Sequence, residues 1–123
     1  MEKDKIELIN NYLSINDIPV YTNLDVSFIK NTIVIDKDID LFDLNWYHEL
    51  IKKCDSEPTT LIIKGINELS SVEQLKFGEL LKYRKFGNYY LPKNASILVT
   101  YKDSSKLLCP ELYSLFAHIK QEG

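Results

Sequence analysis

The stretch T59-T-L-I-I-K64, continuing G65-I-N-E-L69, decides the fold. Residues 59–63 are short, β-branched and apolar without alternation, the signature of a strand covered on both faces, as in the middle of a parallel sheet. Asn94 to Lys102 repeats the theme, since A95-S-I-L-V-T100 reads as a second buried strand. Between them, S70-S-V-E-Q-L-K-F-G-E-L-L-K-Y-R-K-F-G87 has helical spacing, with Phe77, Leu80 and Leu81 inward and Ser70 or Ser71 at the cap. Gly78 inside that helix costs about 1 kcal/mol against alanine, which hints at a close packing contact.

The same alternation extends outward. Ile6, Ile9 and Leu13 mark an N-terminal helix, which N16-D-I-P-V-Y-T-N23 breaks at Pro19. V26-S-F-I-K-N-T-I-V-I-D-K-D38 supplies two β-rich pieces, of which residues 33–35 are the more strand-like. A helix follows with Leu44, Tyr47 and Ile51 on one face and Asp43 as its N-cap. G87-N-Y-Y-L-P-K-N94 reads as a small arm or hairpin. C109-P-E-L-Y-S-L-F-A-H-I-K-Q121 reads as a terminal helix with Leu112, Leu115, Phe116 and Ile119 inward. Strands alternating with helices predict an α/β fold: a three-layer, mostly parallel sheet of about three to five strands with helices on both faces. Ligands of such sheets bind beyond the carboxyl ends of the strands, at Lys64, Gly65 and the residues after Thr100.

At 123 residues with 45% hydrophobic content, the chain supports one core, so residues 1–123 are read as a single domain. Fifteen basic residues against 18 acidic ones leave a net charge of -3, which gives no broad footprint for a polyanion. Cys54 and Cys109 have neither CxxC nor Cys/His spacing, so they read as reduced thiols in a cytoplasmic protein. The charged start M1-E-K-D-K-I-E7 lacks a signal-peptide core, and no apolar run approaches the ~18 residues of a membrane span. The wealth of Lys, Ile, Asn and Tyr fits an AT-rich coding genome, bacterial or phage.

From about Thr59 to Phe116, within a half bounded by residues 58–120, the order of short motifs is moderately specific. Ile66-Asn67 follows the strand; Gln74, Glu79-Leu80-Leu81 and Arg84 occupy the helix; Gly87, Tyr89, Leu91-Pro92 and Asn94 form the arm. This order resembles the second half of an AAA+ ATPase core, closest to the MoxR-type and McrB-type branch, and so part of a P-loop NTPase fold. Residues 1–57 are only loosely placed by it. By position, the resemblance puts Lys64 and Gly65 where the family has its magnesium-holding aspartate and water-polarising glutamate. Lys102 falls near the sensor asparagine, and Leu115 where an arginine finger stands.

No G-x-x-x-x-G-K-[ST] loop occurs; Gly65, Gly78, Gly87 and Gly123 are too far apart to form one. Phosphoryl transfer needs a cradle, a metal ligand, a positioned water and a cation, and losing all of them argues against catalysis. The resemblance therefore implies a truncated, degenerate AAA+-like domain with a degenerate Walker B, a pseudoenzyme without cofactor.

Other residues divide between structural and functional readings. Lys64 is either a solvated lysine at a strand end or a cation filling the metal's place. Asp36, Asp38, Asp40 and Asp43 either cap the following helix or gather around a hard cation, though without the EF-hand glycine and glutamate. His48 and His118 lie on different expected helices, and Ser104, Ser105 and Cys109 lack a nucleophile motif.

Lys82 to Lys93 interleaves Tyr83, Phe86, Tyr89 and Tyr90 with Lys82, Arg84, Lys85 and Lys93, a composition shared by protein hot spots and single-strand binders. The expected function is a non-catalytic protein-interaction module: an adaptor, regulator or inhibitor of another protein. A protein partner is expected, with an AAA+ ATPase or a host or phage factor as the candidates; nucleic acid and membrane are not, and self-association stays open. Two alternatives are a metal- or nucleotide-dependent enzyme built on Asp36 to Asp43, His48 and Lys64, and a single-strand binder using Lys82 to Lys93.

Overall fold

A computed structural model describes residues 2–121. The elements are α1 (Glu2–Ile15), β1 (Val20–Thr22), β2 (Thr32–Asp36), α2 (Asn45–Ser56), β3 (Thr59–Lys64), α3 (Ser71–Gln74), α4 (Gly78–Tyr83), β4 (Lys85–Phe86), β5 (Tyr89–Tyr90), β6 (Ala95–Thr100), α5 (Pro110–Tyr113) and β7 (Ala117–Ile119). Five strands form one parallel sheet in the order β2-β3-β6-β1-β7, and β4 and β5 form a separate antiparallel hairpin. The α/β class is thus as expected, with helices on both faces. Among the described residues, no helix is long and apolar enough to cross a membrane.

The pleat of β3 and β6 sorts the core. Leu61, Ile63, Ala95, Ile97 and Val99 point to a large cluster that holds Trp46 and Leu50 of α2, Phe77, Leu80 and Leu81 before and within α4, and Leu112 of α5. Ile62 and Leu98 point the other way, onto Ile9 of α1 and Leu24. On that second face Thr60 and Ser96, paired across the strands, bond to each other at 2.8 Å, which satisfies two buried hydroxyls.

Several elements differ from the sequence expectation. Val20–Thr22, read as part of a break, is an interior strand between β6 and β7. Three residues are too few to show a period, and Pro19 at the strand entrance still serves, its carbonyl accepting the Ala117 amide. The expected terminal helix stops at Tyr113, and Ala117–Ile119 instead forms the edge strand. Its apolar residues fit either period: Leu112 and Phe116 enter the large cluster, while Ile119 joins the opposite face.

The β-rich piece at 26–29 is not a strand. Val26, Phe28 and Ile29 lie in the helix-free connection from β1 to β2 and pack on the second face. The long central helix is divided into α3, a 3-10 turn at Leu75–Phe77, and α4, with Ser70 and Glu73 forming a capping box.

The buried stripe of α2 is Trp46, Leu50 and Cys54, one position from the expected set, so that Tyr47 and Ile51 flank it. Asp43 accepts the Asn45 amide at 3.3 Å, although the position before the first helical residue is Leu44. Gly78 makes no close approach: a Cβ there would meet only Leu112 Cδ2, at 4.0 Å.

Candidate functional site

Lys64, Gly65 and Lys102 come together at the carboxyl end of the sheet. With Asp36, Glu68, Thr100 and Tyr101 they line a crevice of about 190 Å³. Gly65 adopts φ 83°, the left-handed region that glycine enters without cost. There its amide donates to Thr100 O at 3.0 Å, and its carbonyl accepts the Glu68 amide at 2.9 Å.

Lys64 is exposed and forms no ion pair among the described residues. Neighbouring Lys37 pairs with Asp38 at 3.1 Å and Asp36 at 3.7 Å; its hydrogen bond to Asp38, then the charge of Asp36, raises its pKa. The crevice therefore carries acids and bases together, with a lysine and a glycine at the end of β3. Leu115, the fourth position singled out there, is elsewhere, half-buried against the large core cluster.

The residues that carry the AAA+-like resemblance act in this chain as internal clamps. Asn67 donates from Nδ2 to Asp103 O at 2.8 Å and Lys106 O at 2.9 Å. Gln74 donates from Nε2 to Leu69 O and Leu107 O, and its Oε1 accepts the Cys109 amide at 2.6 Å. Together they fix the loop that leaves β6.

Arg84 bonds to the carbonyls of Asn16, Pro92 and Ala95. Burial lowers its pKa, and three carbonyls hold its guanidinium inside the arm, away from a docking surface. Glu79 accepts the Gly87 amide at 2.7 Å, and Asn94 donates to Cys54 O at 2.8 Å. Each is an obligatory backbone group satisfied by a side chain.

The rest of the basic aromatic segment is presented outward. Gly87, at φ 61°, turns the β4-β5 hairpin. Phe86 is half-buried and meets Trp46 and Phe42 edge-on. Tyr89 packs on Tyr47, whose hydroxyl donates to Tyr90 O at 2.7 Å. Lys85 lies over the Tyr90 ring and Lys82 over the Tyr83 ring, 5.5 and 5.3 Å from the centroids. Lys82 and Lys93 are exposed.

Phe42 is the residue that the sequence reading passed over. It is 83% exposed and leans on Phe86 with ring centroids 5.1 Å apart. With Leu44, Phe86 and Tyr89 it walls a groove of about 500 Å³ beside the hairpin. Its turn gave no signal, since neighbouring Leu41 is buried in the large cluster while Phe42 is not.

The remaining candidates stay apart. Asp36, Asp40 and Asp43 each accept an amide two residues on, and no group of three or more His, Cys, Asp or Glu side chains among the described residues is placed to hold a metal ion. His48 is on α2 and His118 on β7, where its Nε2 lies 2.7 Å from Tyr113 O. Cys54 and Cys109 are buried free thiols, and Ser105 Oγ donates to Asp103. No protein-family model matches the chain, and no curated protein matches it.

Proposed function

We propose that this chain is a non-catalytic protein-interaction module on a degenerate AAA+-like scaffold, acting as an adaptor, regulator or inhibitor of another protein. The observation that carries the reading is the aromatic rim: Phe42 at 83% and Tyr89 at 42% exposure line a groove with Phe86. Exposed aromatic rings held by a rigid underlayer, here Trp46 and Tyr47, are the composition of interface hot spots. Lys82 over Tyr83 and Lys85 over Tyr90, with exposed Lys93, make the adjoining segment basic and favour a partner with acidic and apolar side chains, while Glu79 in the groove wall is engaged by the Gly87 amide.

Catalysis is disfavoured by chemistry at the end of β3. A lysine ammonium and a glycine there supply neither a metal-binding carboxylate nor a base for water. The retained clamps, Asn67, Gln74 and Arg84, support the reading of a scaffold kept for shape.

The test is co-purification of tagged chain from its native cell, compared with Phe42→Ala/Tyr89→Ala and with the remote surface control Val72→Ala. A protein captured by the intact chain and the control but lost in the double variant supports the module. Capture that is equal in all three, or saturable Mg-ATP binding at micromolar concentration, overturns it.

A further inference from the structure

A second crevice, of about 200 Å³, lies away from the hairpin at the carboxyl ends of β1, β6 and β7. β1 leads to β2 at one edge of the sheet, while β6 passes over β1 to β7 at the other. The carboxyl ends of the strands are where open α/β sheets hold ligands.

Tyr21, Tyr101 and Tyr113 line this crevice together with Lys106 and Lys120. Tyr21 is only 7% exposed and stacks on Tyr101 with ring centroids 4.3 Å apart. Among the described residues, none of the three phenol hydroxyls has a hydrogen-bond partner, and neither lysine side chain forms an ion pair. Burial first, and then proximity to Tyr101, raises the Tyr21 pKa; burial and then Tyr113 do the same for Tyr101. Tyr21 and Tyr101 therefore keep their protons at neutral pH, as O–H donors. No carboxylate lines the crevice, since nearby Asp103 accepts from the Ser105 amide and hydroxyl.

Phenol donors without partners, lining one crevice beside two ammonium groups, are complementary to an oxyanion. The volume is below the ~300 Å³ lower bound of ordinary cofactor pockets, which admits one small ring and its charged group but not a nucleotide. Two lysines match a dianion better than a monocarboxylate. We propose that this crevice binds a small organic phosphate monoester, its phosphoryl oxygens accepting from the tyrosine hydroxyls and its body against Leu107 and Leu108. This site is independent of the protein-interaction reading.

The test is an amide NMR titration of the full chain with phenyl phosphate, run beside inorganic phosphate and benzoate. Saturable shifts at Tyr101, Lys106 and His118 are expected, tightest for phenyl phosphate, with Tyr113→Phe weakening binding about tenfold while leaving the spectrum folded. Tyr21→Phe, which keeps the ring, should act in the same direction. Absence of saturable shifts up to about 10 mM, or affinity unchanged in both variants, overturns the proposal. Equal or tighter binding of inorganic phosphate or benzoate overturns the assigned ligand class.

Discussion

Gln74 Oε1 accepts the Cys109 amide at 2.6 Å, joining α3 to the entrance of α5 across 35 residues. The same side chain donates to Leu69 O and Leu107 O, so one buried amide satisfies three backbone groups. Gln74→Leu removes all three bonds at once. We expect a loss of about 2–4 kcal/mol in urea unfolding, because buried backbone groups are left without partners. A change within about 0.5 kcal/mol would show that water replaces the clamp.

Gly65 and Gly78 should respond oppositely to alanine. At Gly65 a Cβ would lie 3.2 Å from Glu68 Oε2 and 3.3 Å from Lys37 Cδ, on a backbone at φ 83°. Gly65→Ala should cost about 1–2 kcal/mol. At Gly78 the backbone is helical and the nearest atom is at 4.0 Å, so Gly78→Ala should stabilise by about 0.5–1 kcal/mol. Thermal melts of the two variants check both signs.

Arg84 and Phe42 separate fold from surface. Arg84→Ala removes the bonds to the Asn16, Pro92 and Ala95 carbonyls, of which Pro92 O keeps the Ala95 amide, and should cost about 1–3 kcal/mol in denaturant unfolding. Phe42→Ala, at an exposed position, should change stability by less than about 0.5 kcal/mol while weakening partner capture. If Arg84→Ala left stability intact, the clamp reading of the arm would be wrong.

Alkaline pH should destabilise the chain through Tyr21. Burial raises its folded pKa above the ordinary value of 10.0, so above about pH 10 the unfolded chain releases a proton that the folded chain retains. The stabilisation is complete below that pH and declines as pH rises beyond it. Unfolding free energy followed from about pH 8 to pH 11 should fall at the alkaline end, and less steeply in Tyr21→Phe. Equal slopes would mean that Tyr21 titrates alike in both states.

The sequence by itself determined the two central strands, because β3 and β6 are apolar on both faces and need no partner to be recognised. It also placed the helix cap at Ser70 or Ser71, of which the structure uses Ser70, but it read Lys85–Phe86 as helix where the hairpin has a strand. Tertiary structure alone decided β1 and β7: three residues each carry no readable period, and they become strands because neighbours supply their hydrogen bonds. It likewise decided the site residues. Arg84 and Tyr90 are equivalent in a basic aromatic string, yet carbonyls 8 and 11 residues on draw the arginine inward while the hairpin turns the tyrosine out. Phe42 is exposed while Leu41 beside it is buried in the large cluster, a division set by packing that no local pattern encodes.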